Sequence, residues 1–188
     1  MPEHVPTYEE ALSLLKEFNR NESLLKHAYS VEAVMRYLAR KKGGDEEKWG
    51  IIGLVHDLDY ERFPEQHCRK AQEILAERGW PEEYIRAVVS HGWGICSDIE
   101  PQTVLEKTLY TIDELTGLIT AVAIIRPSKS VADLEVKSVM KKWKDKAFAA
   151  GVNRTVIEKG TAMLGADLNV LITDAIMSMR EVAGRIGL

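Results

Sequence analysis

Several things are scarce in this sequence, and each scarcity excludes something. Its 188 residues hold two cysteines, Cys68 and Cys96. They are too few for a disulfide framework and are not spaced as a CxxC pair, so reduced thiols in a cytoplasmic protein are expected. No uninterrupted apolar run approaches the roughly 20 residues that cross a bilayer. The opening MPEHVPTYEE carries acidic residues and no apolar stretch, unlike a secretory signal. No membrane partner is expected. A basic excess is missing as well: the net charge is −4, which argues against polymeric nucleic acid as a partner. Strand-like alternation, internal repeats and low-complexity linkers are also wanting. Histidine is rare, with five in the chain, so the positions of those five carry information.

What is present reads almost throughout at helical period. Thr7 can cap a helix over Glu9–Phe18, with Leu12, Leu15 and Phe18 on one face. A second helix over Glu22–Ala39, opened by Asn19 or Asn21, sets Leu24, Ala28, Val31, Met35 and Leu38 at three- and four-residue steps. The glycines of KKGGD stop it, and Asp45 can cap the next, Glu46 to about Leu58, whose run through Ile51, Ile52, Leu54 and Val55 marks it as buried. Pro64 and Pro81 read as first-turn prolines of helices Glu65–Glu77 and Glu82–Ser90. A long helix follows from about Gln102 to Ile125, ended by Pro127. Helices are expected again over Val131–Ala149 and Arg154–Gly184. The expected fold class is all-α, with residues 1–188 forming a single domain.

Setting aside His4, near the terminus, the remaining histidines are His27, His56, His67 and His91. His56 is followed directly by Asp57 at the end of the most apolar helix, and Asp113 interrupts the otherwise apolar LEKTLYTIDELTGLITAVAII. A carboxylate in such a setting is costly unless it is paired or bound to a cation. Imidazole nitrogens beside carboxylate oxygens suit zinc, iron or manganese.

The series His27, His56-Asp57 and Asp113 resembles the H…HD…D signature of the HD superfamily of metal-dependent phosphohydrolases. The resemblance covers roughly Asn21–Ile125. It implies an HD core over about 21–125, with 126–188 as a C-terminal helical extension packed on it. It also implies a two-metal site: His27, His56, Asp57 and Asp113 on one ion, His67 and His91 on the other, and Asp57 bridging. Divalent ions are the implied cofactors, iron or manganese before zinc, cobalt, nickel or magnesium. The implied reaction is hydrolysis of a phosphate ester or anhydride, a nucleotide above all, by hydroxide generated at the metals. Alternatives within the same ligand set are a mixed-valence di-iron oxygenase and a non-catalytic metal- or nucleotide-binding protein. One departure stands out. Several two-metal subfamilies have lysine three residues after the HD aspartate, where this chain has Tyr60.

Other residues carry weaker readings. Asp59 and Glu61 add negative charge beside the metals and suit a general acid or base, or a group orienting a ligand histidine. His67 can instead be a polar residue near a helix start, and His91 a histidine facing a helix dipole. Trp93 suits stacking on a base or plain packing. From Arg126 to Phe148, seven basic residues face three acidic ones. A solvated face explains that run, while a phosphate-binding wall would use Arg126, Lys137 and Lys144. The apolar series Leu164, Leu168, Leu171, Ile172, Ala175, Met179 and Val182 suits core packing or a homodimer face.

Overall fold

A computed structural model describes residues 4–188. Its regular elements are all helical: α1 (Tyr8–Phe18), α2 (Glu22–Lys42), α3 (Glu46–Val55), a 3-10 turn (Pro64–Gln66), α4 (Arg69–Glu77), α5 (Glu82–Ser90), α6 (Val104–Ile125), α7 (Val136–Trp143), α8 (Arg154–Met163), α9 (Leu168–Glu181) and α10 (Ala183–Ile186). The expected all-α class is what the described residues form.

Short polar side chains start α1, α2, α3, α6, α8 and α9. Thr7 and Thr103 each form a reciprocal capping box with the glutamate three residues on, Glu10 and Glu106. Asn21, not Asn19, opens α2 by accepting from the Ser23 and Leu24 amides, and Asp45 opens α3 by accepting from Lys48. Asn19 is buried instead, and its side-chain amide donates to the Leu58 carbonyl at 2.8 Å. That bond clamps the turn after α3 onto the α1–α2 junction.

The centre of the packing is α6, touched by α2, α5, α7, α8 and α9. It is long and apolar enough, by length and mean hydropathy, to cross a membrane. Asp113 and Glu114 interrupt its apolar run. Leu109, Ile112, Leu115, Leu118 and Ile119 are fully buried in the core, each worth about 1.5–3 kcal/mol relative to exposure. The pair α2–α3 packs closely because Gly53 has no side chain: a β-carbon there would lie 2.9 Å from Met35 Cγ and 3.2 Å from the Val31 carbonyl oxygen. This approach brings the end of α3 beside the first half of α2.

Three expected helices come out shorter. The stretch Glu65–Glu77 breaks at His67–Cys68, where Cys68 takes φ 67° and ψ −48°, a conformation no α-helix accommodates. The stretch Val131–Ala149 is helical only over α7, because Arg126 binds Asp133 and Arg180 holds the carbonyls of Val131 and Leu134 in a fixed non-helical path. The stretch Arg154–Gly184 becomes α8, α9 and α10. Gly165 turns the chain at φ 58°, Asp167 caps α9, and α8 and α9 meet at 104°. The apolar series from Leu164 to Val182 is therefore not one continuous stripe. Leu171, Ile172, Ala175 and Met179 are buried in the core, with Leu164, Leu168 and Val182 packed against it.

Candidate metal centre

Five segments deliver six side chains to one place. His27 comes from α2, His56 and Asp57 from the end of α3, His67 from the break before α4, His91 from the end of α5, and Asp113 from the middle of α6. The same local device sets two of them. Helix ends leave carbonyls without amide partners. His56 caps α3 by donating Nδ1–H to the Gly53 carbonyl at 2.8 Å, and His91 caps α5 by donating Nδ1–H to the Val88 carbonyl. In each case the bond assigns the ring proton and turns Nε2 inward. His67 is set from farther away: its Nδ1–H donates to Asp59 Oδ1 at 2.8 Å.

The distances divide the cluster into two halves that share Asp57. In the first, His27 Nε2 is 2.9 Å from Asp113 Oδ1 and 3.8 Å from Asp57 Oδ2. His56 Nε2 lies 3.3 Å from each of those oxygens. In the second, His67 Nε2 and His91 Nε2 are each 3.3 Å from Asp57 Oδ1 and 3.2 Å from one another. One carboxylate thus faces both groups, one oxygen to each.

The electrostatics of the cluster are compatible with bound cations. Burial opposes charge on the His56 ring, yet the carboxylates of Asp57 and Asp113 outweigh it and raise the ring's pKa well above the ordinary value. Burial likewise opposes charge on Asp57 and Asp113, and the facing imidazoles, His56 foremost, hold both carboxyls well below the usual range. His67 is desolvated too, but Asp59 and Asp57 raise it. His56 Nε2 is buried and has no hydrogen-bond partner. An orphaned imidazole nitrogen, aimed among carboxylate oxygens, is the condition a metal ion relieves. His27, His56, Asp57 and Asp113 offer one mutually close set of ligand atoms, and His67 and His91 belong to another that also includes Cys68.

A cavity of about 330 Å³ opens onto the cluster. His27, Asp57, His67, His91 and Asp113 form its floor, and Tyr60, Ile95, Cys96, Glu114, Gly117 and Val156 are among its walls. The Tyr60 ring meets His67 edge-on at 5.2 Å, so the position that carries lysine in some subfamilies here supplies an aromatic wall. Glu114 escaped the sequence reading, although a carboxylate directly after Asp113 in an apolar helix was a usable signal. Its Oε2 accepts the Asn153 amide at 2.9 Å. Val156 reaches the cavity only through the packing of α8 on α6, and nothing local announces it.

The weaker candidates end up elsewhere. Asp59 is fully buried behind His67, accepting from that ring and, at 2.9 Å, from the Ala71 amide. It does not line the cavity, so of its two expected roles the geometry matches orienting a ligand and not proton transfer. Glu61 points away from the site, accepting the Arg20 and Asn21 amides at 2.8 and 3.0 Å. Two residues of a tight turn face opposite ways, which separates it from Asp59. The basic wall does not form: Arg126 pairs with Asp133 at 2.8 Å, Lys137 with Glu135 at 2.6 Å, and Lys144 is exposed at the end of α7. None of the three lines the cavity. Trp93 packs, with Tyr110 at 5.8 Å and Lys159 Nζ 3.4 Å above its ring.

A sequence model of one family, described as the HD domain, matches residues 24–118, a stretch that contains all six converging side chains. Neither the curated proteins nor the solved structures give a match.

Proposed function

The chain belongs to the HD domain family, a superfamily of metal-dependent hydrolases, and on that premise we propose that it hydrolyses a small phosphate ester or anhydride, a nucleotide by preference, at a two-metal centre. The observation that carries the proposal is Asp57, with Oδ2 toward His27 and His56 and Oδ1 toward His67 and His91. One ion would be held by His27, His56, Asp57 and Asp113, and the other by His67, His91 and the second oxygen of Asp57. A pair of divalent ions in such a site activates water near neutral pH and offsets the charge of phosphoryl oxygens.

The chain's own residues do the rest. Asp57 ties the two halves together, and Asp59 holds the His67 ring in the tautomer that leaves Nε2 free. Tyr60 and Ile95, both exposed at the cavity, give the non-phosphate part of a substrate an apolar surface. At about 330 Å³ the cavity stands near the lower end of ligand pockets, a size for a mononucleotide or less rather than a polymer. Among the described residues no lysine or arginine lines it. In this reading the positive charge opposite a phosphate comes from the ions.

That same want of a side-chain cation, together with four converging imidazoles, favours one second reading: a mixed-valence di-iron oxygenase. One experiment addresses both. Protein purified anaerobically is analysed for metal, then assayed for phosphate release from phosphomonoesters and nucleotides and for oxygen uptake, beside Asp57→Ala. The hydrolase reading expects two ions per chain, phosphate release, and loss of both in the variant. If Asp57→Ala keeps its metal and its phosphatase activity, the reading is wrong. Oxygen uptake with an iron EPR signal, and no phosphate release, would replace it with the second.

A further inference from the structure

Neither cysteine is used in the proposed hydrolysis, yet both lie against the His67–His91 half of the centre. Cys68 follows His67 directly, is wholly buried, and has φ 67°. A residue with a β-carbon keeps that backbone conformation only where its surroundings enforce it, and such positions gather at functional sites. The Cys68 sulfur and a ring nitrogen from each of His67 and His91 all lie within 4.8 Å of one another. Cys96 arrives from the loop after α5, more exposed. A β-carbon on Gly92 would lie 2.4 Å from Cys68 Sγ and 2.2 Å from Cys96 Sγ. Glycine at 92 thus leaves room for both sulfurs beside His91, room that any side chain would close.

We propose that the second metal position is a mixed nitrogen, oxygen and sulfur site, in which the Cys68 thiolate joins His67, His91 and Asp57 as a protein ligand for an ion of the zinc class. The proposal rests on reading the cluster as a metal centre. Its distinguishing element is the sulfur. Thiolate favours zinc or cobalt(II) over magnesium and manganese, which prefer oxygen. Only one half of the centre has a sulfur, so the two positions select differently. His27, His56, Asp57 and Asp113 form an imidazole–carboxylate site. An ion at the second position would be held by residues from the α3 end, the break before α4 and the α5 end, and would keep Asp57 in place for the first. On binding, the Cys68 S–H proton passes to solvent and the sulfur lone pair bonds the ion, with no change of oxidation state. Cys96 is a neighbour of that sulfur and not a ligand.

The test uses the full chain, stripped of metal with a chelator under reducing conditions and titrated with cobalt(II) alone. The wild type should develop a near-ultraviolet thiolate-to-cobalt charge-transfer band. The band should be lost in Cys68→Ser and retained in Cys96→Ser and His27→Ala. X-ray absorption of the wild type loaded with two zinc ions should show a sulfur scatterer at about 2.3 Å. That measurement needs no variant, so a misfolded Cys68→Ser protein cannot imitate success. Two bound ions with only nitrogen and oxygen around them would remove Cys68 from the site and leave the hydrolase reading standing. A band lost in Cys96→Ser and kept in Cys68→Ser would also overturn the proposal. A chain that binds no metal would overturn the hydrolase reading along with it.

Discussion

Asp59→Asn separates a positioning role from a structural one. The wild-type carboxylate is fully buried and accepts two N–H groups, His67 Nδ1–H at 2.8 Å and the Ala71 amide at 2.9 Å. The second bond matters to the fold, because Cys68, the residue opening α4, makes no side-chain cap. Asp59 caps that helix from a distance, and its negative charge suits the helix start. Asparagine has the same shape but one acceptor and one donor in place of two acceptors. If its oxygen faces Ala71, its NH2 faces His67, and the ring must move its proton to Nε2, the atom a metal needs bare. If it faces His67, the Ala71 amide loses its partner. Removing such an outer partner of a ligand histidine lowers metal affinity about 10- to 100-fold, or roughly 1.4–2.8 kcal/mol at 1.4 kcal/mol per decade. Leaving a buried donor unpaired costs about 1–3 kcal/mol of stability, and each kcal/mol moves Tm by roughly 2–4 °C in a chain this long. Chelator competition should resolve one ion weakened within that range and the other scarcely changed. Glu61→Gln, on the far side of the same turn, should leave both affinities as they were. Equal weakening of both ions, or of neither, would refute the assignment of Asp59 to His67.

Three further predictions follow from particular contacts. Thr116 is fully buried in α6 and its hydroxyl has no hydrogen-bond partner, so Thr116→Val should raise stability by about 1 kcal/mol in a denaturant melt; a loss of that size would show a partner for the hydroxyl. Gly53→Ala would press a β-carbon to within 2.9 Å of Met35 Cγ and 3.2 Å of a backbone oxygen. The overpacking cost of roughly 1–3 kcal/mol should exceed the helix-propensity gain of about 1 kcal/mol, lowering Tm, and an unchanged Tm would mean that α2 and α3 separate freely. In metal-free protein the raised pKa values of His56 and His67 stabilise the fold below the unfolded imidazole value of about 6.5. That contribution is lost as pH rises through the folded values, so the chelated protein should melt lower at pH 8 than at pH 6 in a thermal scan. Metal must displace those protons, so loading should reverse the trend and release protons measurable in a weakly buffered titration.

Helix starts were legible because a cap is a local event: Thr7 and Asp45, read as caps from the sequence, bond amides within three residues of themselves. Helix interruptions were less so. Nothing within Glu65–Glu77 forbids a continuous helix, and the break at Cys68 is where His67 meets Asp59 and Asp57. The long α6 shows the converse. Its apolar residues announced a helix, while its place at the centre of the core, with Asp113 and Glu114 turned toward a cavity, emerges only once five other helices surround it.

Residue chemistry and short-range periodicity are properties of the chain taken a few residues at a time, so the sequence alone determined the all-α class, the scarcity that made His27, His56, His67 and His91 informative, and the oddity of Asp113 in an apolar helix. Tertiary structure decided which atoms meet. It turned the two oxygens of Asp57 toward different histidine pairs, put Asp59 behind a ring while sending Glu61 to cap α2, and moved Arg126, Lys137 and Lys144 off the cavity. Those outcomes depend on where α2, α3, α5 and α6 cross, and that crossing is settled by burial summed over the whole core, which no spacing within one helix encodes.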